Sequence, residues 1–498
     1  MANRILLLLL GTALLFPIQA QTIHKSYPEP KLTPEIKAIK AERKLFKITA
    51  SEDVVLPKSV DNSKSMYFPK IISQSGGSCA QASGIGYMFT YEINRMLGRD
   101  AKLSADNRFS YLFTWNMLNE GIDQGSFVED GLNIAKRYGV MTEADYGPSG
   151  EYQFRWANSF DKYVNAMHYR AAEILTFNDS IPILKRYLYD AGDGSATGGV
   201  LTFSCQSTGW TINNYYDGPS ETGYHSLLTK LATEGSHALT IAGYDDLVTY
   251  TDDKGITHTG AFIVVNSWGT YSHDEGRFYL PYDFFRSTSV KSYELSDKLN
   301  GVKVKTYDPK VVYKVNIDFS SRDDLSFKMG ARTVGSTQTT VNYYSNPIFN
   351  FQGGDHPMQG NYLGTSLELA LDFSERLPQN EIEQYYLNVY SAFRGKKRGE
   401  GQVKSIQVYD YRYGEPRIYS CHEKLPRTLG TGNNIFAIAL KPKYIVSTSP
   451  YAFQPTDSVT TGDAYLLRTA SGKHAKMKVM SYNAQTGQIQ LRYSIRKE

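Results

Sequence analysis

Three residues, far apart in the chain, have the types that thiol chemistry needs. Cys79 closes the loop Gln74-Ser75-Gly76-Gly77-Ser78. His237 heads the apolar run Ala238-Leu239-Thr240-Ile241-Ala242. Asn266 follows the apolar run Phe262–Val265 and leads into Ser267-Trp268-Gly269. The thiolate, not the thiol, is the nucleophile. Its use in acyl transfer requires an imidazole to take and return the proton. It also requires a group that fixes the ring, and donors for the oxyanion of the tetrahedral intermediate. A helix beginning at Cys79 would place positive partial charge beside the sulfur. The two glycines let the preceding loop turn tightly and let backbone approach a substrate. Gln74 is an uncharged donor one short loop away. Taken singly, each residue has an ordinary structural explanation: a buried cysteine, a strand histidine, an asparagine capping a strand. Together, in the order Cys, His, Asn, they point to acyl transfer through a thioester on Cys79.

These residues need elements to position them. Behind Cys79, apolar residues recur at helical spacing (Ile85, Met88, Phe89, Ile93, Met96, Leu97) and stop at Gly98. This predicts a helix over 84–97. Further helices are expected over 126–138, ending at Gly139, and over 180–189. After Gly199 the pattern changes to strands at 200–203, 238–242, 262–265 and 278–280, with a hairpin turn at Asp252-Asp253-Lys254-Gly255. Helices first and strands later within one unit is an α+β pattern. From about residue 310 only strand-like runs remain, at 311–319, 366–373, 386–391, 435–440, 478–481 and 488–493. These predict an all-β, β-sandwich-like region of one or two modules. The boundary is placed at 300. Residues 21–55 are polar and read as a short pro-segment or linker, with one helix over 35–47.

Several stretches resemble the papain-like cysteine peptidases (clan CA, family C1). Leu56-Pro57-Lys58-Ser59-Val60-Asp61 is similar to the family's mature N-terminus, and Gln74–Ser83 to its nucleophile segment. Leu103-Ser104 with Phe109-Ser110-Tyr111 matches the stretch where the next helix starts. Tyr138-Gly139-Val140 with Glu143-Ala144-Asp145-Tyr146 resembles a family turn, and His237-Ala238 with Gly243-Tyr244 its histidine strand. Asn266-Ser267-Trp268-Gly269, followed by Gly276 and Phe278-Tyr279-Leu280, is the most specific match. The resemblance spans about 56–285. It implies a helical lobe bearing Cys79 and a β-barrel-like lobe bearing His237, with the cleft between them. It implies Cys79 as nucleophile, His237 as general base and acid, Asn266 as orienter, and Gln74 with the Cys79 N–H as oxyanion hole. Trp268 would shield the His–Asn bond, and Gly77, Ser78 and Trp268 would line the substrate path. The chain departs from the family in five ways: the His-to-Asn interval is long, with a hairpin inserted at about Asp245 to Gly260, the N-terminal segment is too short for the family's usual inhibitory pro-domain, and three more departures lie around the nucleophile and the cysteines. The Gln-to-Cys interval is one residue shorter, Ala80 stands where the family usually has Trp, and the framework cysteines are missing. Two other readings stand beside peptide hydrolysis: a papain-like scaffold acting as a surface binding protein, and a thioester-using acyltransferase.

The rest of the sequence narrows the setting. Arg4 followed by the apolar run Ile5–Phe16, with Ala20 at the cut site, has the form of a signal peptide over 1–20. An exported protein is therefore expected, periplasmic, cell-surface or extracellular, in the style of a Gram-negative bacterium. No later stretch has the length of a membrane span. With a formal net charge of +4 there is no basic excess to call for nucleic acid. Three cysteines (Cys79, Cys205, Cys421) leave at least one thiol unpaired; a Cys205–Cys421 bridge or three separate thiols are both open. No H-E-x-x-H metal spacing, phosphate loop or dinucleotide fingerprint occurs, and no cofactor is expected. The expected partners are a peptide or protein substrate and a glycan or protein ligand of the C-terminal region; oligomeric state is not legible. His225 is a weaker candidate base, since no apolar strand follows it. Trp210, Tyr215, Tyr216 and Tyr224 have two readings, lining the cleft or serving loop packing, with loop packing favoured.

Overall fold

The computed structural model describes residues 27–147, 155–286, 299–345, 353–445 and 462–495, with short breaks inside these spans. The segment expected to be a signal peptide, 1–20, lies outside the described residues.

Behind Cys79 the chain is helical to Leu97. It runs as Cys79–Gln81, a wider π-wound stretch Ala82–Phe89, and Thr90–Leu97, ending at Gly98 in the left-handed conformation (φ 65°). Every residue from Ala80 to Asn94 is buried. This helix is therefore a central rod rather than a half-exposed one. Small residues make that packing feasible: a Cβ on Gly86 would sit 2.5 Å from the Ile72 side chain. Helices Tyr111–Leu118, Val128–Arg137 and Phe160–Met167 pack around it. The first of these starts where the family resemblance placed it.

The second lobe is built on a ten-stranded sheet. His237–Thr251 is its pivotal strand, antiparallel to Leu201–Cys205 and then Ser59–Asp61 along one side and to Thr257–Val265 on the other. Side chains alternate across a strand, and here the alternation sorts sizes. Ala238 and Ala242 face the helical core, while Leu239 and Ile241 enter the second core with Phe203, Phe262 and Val264. Small residues on one face let the Cys79 helix approach the strand. The expected turn closes the hairpin, with the Gly255 N–H donating to Asp252 O at 2.9 Å.

The boundary expected at 300 is displaced. Asn300–Thr306 is a strand of the same sheet, antiparallel to Tyr169–Thr176 and touching Thr202. Its alternation of Val302 and Val304 with Lys303 and Lys305 is too short to declare its partner in sequence. Residues 27–45 are likewise built into the fold rather than linking to it. Helix Pro34–Ala41 is shorter than expected and buries Ile36, and Lys40 and Arg43 pair with the buried Glu129 at 2.9 and 3.2 Å. Lys44–Leu45 then extends the sheet in parallel to Leu175 and Thr176.

Beyond residue 306 two antiparallel sheets face each other. One holds Val311–Phe319 between Ser366–Asp372 and Gly401–Asp410; the other holds Leu325–Thr333 and Ile382–Ser391, flanked by Tyr343–Ser345 and Gly432–Ala439. Tyr313, Val315, Ile317 and Phe319 alternate inward, and the Tyr313 hydroxyl crosses to donate to Gly330 O at 3.0 Å. This is the expected sandwich. A separate four-stranded sheet, Lys443–Ile445 with Ala464–Arg468, His474–Tyr482 and Ile489–Ile495, makes a second small module. The sandwich shares one core with the helical lobe. Arg170, fully buried, pairs with Asp372 across that junction at 2.5 Å.

Candidate active site

The two lobes are joined by hydrogen bonds between the loop before Cys79 and the loop after Asn266. Gln74 N–H donates to Ser267 O at 2.8 Å, and Gly269 N–H to Ile72 O at 2.9 Å. Ser267 Oγ donates to Gln74 Oε1 at 2.5 Å. From the helical side, Ser83, one turn beyond Cys79, donates to Ala238 O at 2.9 Å. Tyr87, one turn further on, donates to Asn266 O at 2.9 Å and accepts from Ile72 N–H at 2.7 Å. One face of the Cys79 helix is thereby held against both the His237 strand and the Asn266 corner.

Cys79 opens the helix and is half-buried. Burial pushes its thiol above the ordinary value. The backbone around it, of Ala238, Ala80 and Cys79 itself, pulls the other way. Burial wins, so ionisation needs a cation beside the sulfur. The Ser83 bond to Ala238 O holds the Cys79 helix against the strand that begins with His237, the residue able to supply that cation.

His237 is buried, and its Nε2 lies 2.8 Å from Asn266 Oδ1. The Asn266 side chain is fully buried, and its Oδ1 also accepts from Ser267 N–H at 2.8 Å. Trp268 stacks on the imidazole, with ring centroids 4.7 Å apart and planes 27° apart, keeping water from the His–Asn bond. His237, Asn266 and Trp268 are thus in mutual contact, and Cys79 opens the helix held against the same strand through Ser83 and Ala238.

Gln74 is at the site, but its amide is partly committed. Nε2 donates to Gly76 O at 2.9 Å, and because a carbonyl can only accept, this identifies the nitrogen. One amide hydrogen is left for an oxyanion. The expectation that Gly77 and Ser78 line the substrate path is not met. Both are buried; Gly77 N–H is spent on Asp123 Oδ1 at 2.9 Å, and Ser78 Oγ on Ser75 O at 2.6 Å. These two residues shape the loop. Asp123 in turn accepts from the Tyr27 hydroxyl at 2.7 Å, and Tyr27 O accepts from Ser236 N–H at 3.0 Å, so the N-terminal segment passes beside the site.

Sequence reasoning missed two neighbours, His273 and Tyr87, and left a third open. Trp210, read as cleft lining or loop packing with packing favoured, stands with its ring 6.0 Å from His237 and 5.5 Å from Trp268. His273 lies with Nε2 3.3 Å from Asn266 Nδ2. Tyr87 is one of several buried polar side chains on the Cys79 helix, so its type alone did not mark it. His225 is not a competing base: its Nδ1 meets Tyr216 O at 3.0 Å and its N–H goes to Asp274. All three cysteines are free thiols, which removes the Cys205–Cys421 bridge. Among the described residues no group of three or more His, Cys, Asp or Glu is placed to hold a metal, and no helix is long and apolar enough to cross a membrane.

No family model matches the chain. An uncharacterized peptidase C1-like protein of Acanthamoeba polyphaga mimivirus is 23% identical over 318 residues, covering 59% of this chain and 93% of that one. Among solved structures, the chain is similar to xylellain, a cysteine protease from Xylella fastidiosa, at 18% identity and a TM-score of 0.38; the match covers 57% of this chain and 95% of that one. It is also similar to procathepsin B of Trypanosoma congolense, at 14% identity and a TM-score of 0.35, covering 57% and 84%.

Proposed function

We propose that this chain is a papain-like cysteine peptidase that hydrolyses peptide bonds through an acyl-thioester on Cys79. The observation that carries the reading is the shielded 2.8 Å bond from His237 to Asn266, set beside a thiol at the start of the helix that Ser83 ties to Ala238. With Nε2 engaged by Asn266, Nδ1 is the nitrogen that takes the Cys79 proton. The thiolate attacks the scissile carbonyl, and the oxyanion is met by the Cys79 N–H and the second amide hydrogen of Gln74. The intermediate collapses as the imidazolium gives its proton to the leaving amine. Water, its proton taken by His237, then cleaves the thioester and restores Cys79. Trp268 bounds the leaving-group side.

Export rests on residues 1–20, and with it a working place in a periplasm, on a cell surface or outside the cell, in a Gram-negative host. The C-terminal sandwich and the small sheet beyond it are proposed as ligand-holding modules for glycan or protein. Limiting iodoacetamide near pH 6, with peptide mapping, tests the central claim. An ordinary thiol is mostly protonated there, so Cys79 should be labelled on the order of tenfold faster than Cys205 or Cys421. His237→Ala should remove that advantage, and Cys79→Ala should abolish cleavage of a fluorogenic peptide. Equal labelling of the three thiols, indifferent to His237, would sink the reading.

A further inference from the structure

We propose that His273 is a positioning residue for the catalytic dyad, acting through Asn266, and that its protonation disengages the dyad. The proposal rests on the peptidase reading and adds a pH control to the same site. The argument begins with the Asn266 amide. Ser267 N–H can only donate, so the side-chain atom it meets at 2.8 Å is the amide oxygen, and the same oxygen faces His237 Nε2. Nδ2 therefore faces His273 Nε2 at 3.3 Å. An amide N–H can only donate, so that Nε2 must be the bare nitrogen of a neutral ring. Neutral His273 thus locks the orientation in which Asn266 serves His237.

The ring is held for this task. Phe278, Trp268 and Trp210 surround it at centroid distances of 5.2, 6.2 and 6.3 Å. His273 has φ 56°, in the left-handed region that costs a non-glycine residue energy, and Glu275 beside it has φ 48°. The strained turn aims the imidazole back at Asn266.

Protonation would put an N–H against the amide N–H. Two donors at that distance repel, so the amide must turn over. Turned over, it offers nitrogen to both Ser267 N–H and His237, and both 2.8 Å bonds are lost. The charged groups around His273 are few. His237, across Asn266, is cationic in the working ion pair, with the Cys79 thiolate on the facing helix. Asp274 and Glu275 flank it in its own turn, the Asp274 carboxylate accepting from His225 N–H at 2.8 Å. Arg277 is engaged with Ser63 Oγ at 2.9 Å and Glu275 O at 3.0 Å. Trp210, Trp268 and Phe278 carry no charge.

The test compares wild type, His273→Gln and His273→Leu by kcat, KM and Cys79 alkylation rate from about pH 4.5 to 8.5, the range in which histidine changes charge. Glutamine keeps an acceptor near the Nε2 position and does not titrate. It should match wild type within about twofold at pH 8, and lose one of the two protonations that shape the wild-type acid limb. Leucine should lower kcat about five- to tenfold at pH 8 with KM unchanged, the worth of one ordinary hydrogen bond, and the gap to wild type should narrow as pH falls and the wild-type His273 takes its proton. A leucine variant that tracks wild type, or a glutamine variant that keeps the two-proton limb, overturns the proposal. Should either variant fail to fold, NMR titration of the His273 ring in the wild type decides. Agreement of its midpoint with an acid-limb midpoint supports the proposal, and disagreement overturns it. Wild type without fast Cys79 alkylation at any pH would instead refute the peptidase reading on which the proposal stands.

Discussion

Replacing Asn266 with alanine removes the acceptor that orients His237. The bond is 2.8 Å long, fully buried at the Asn266 end, and covered by Trp268. In the working state His237 is an imidazolium, so the lost bond is charge-assisted, worth about 1.5–3 kcal/mol. At about 1.4 kcal/mol per decade, that predicts a fall in kcat/KM of about 10- to 150-fold. The bond favours the charged ring, so its loss lowers the pH at which the imidazolium gives up its proton. The thiolate–imidazolium window should therefore close from its alkaline side, and labelling of Cys79 should weaken there first. The same substitution leaves Ser267 N–H without its acceptor, a stability cost of about 1–2 kcal/mol that leaves the protein folded. The assay pairs fluorogenic-peptide kinetics with alkylation rate against pH, on protein checked by a denaturant melt. A variant within twofold of wild type, with an unchanged alkylation profile, would refute the claim that Asn266 holds the catalytic ring.

Two further predictions concern stability. Asp130 is pushed up to about 7, first by burial and then by the charge of Glu129. Its value in the unfolded chain is about 4, so between about pH 4 and 7 the native state keeps a proton that the unfolded chain has lost, and stability falls as pH rises through that window. Asp130→Asn should therefore gain on the order of 1–3 kcal/mol at pH 8 and almost nothing at pH 3.5 in urea melts; an equal gain at both pH values would contradict this. Arg170 is fully buried, stacks on Tyr307 at 3.4 Å and pairs with Asp372. Arg170→Ala strands that carboxylate at the junction of the two-lobed unit and the sandwich, and should cost about 3–5 kcal/mol, with Arg170→Met/Asp372→Leu recovering most of it. A loss under about 1 kcal/mol would mean that the ion pair does not hold the junction.

What the chain determined by itself is local. The glycine loop, the helical spacing behind Cys79, the apolar runs around His237 and before Asn266, and the Gly98 stop are each written within a few consecutive residues. Neighbours that close write a period that survives without the fold. Strands such as Val311–Phe319 alternate apolar and polar residues for the same reason, so the β character of the C-terminal half was legible too. Tertiary structure decided whatever depended on partners far along the chain. Gly77 and Ser78 look like a substrate-facing loop until Asp123 and Ser75 claim their donors. Asn300–Thr306 looks like the start of a new domain until Tyr169–Thr176 pairs with it. His273 sits in a polar turn with nothing local to distinguish it, and Trp210 could serve any loop. Their places beside Asn266 and His237 exist only because the sheet brings residues 210, 237, 266 and 273 to one corner. A side chain's role there is set by which donor or acceptor it meets, and sequence separation carries no record of that meeting.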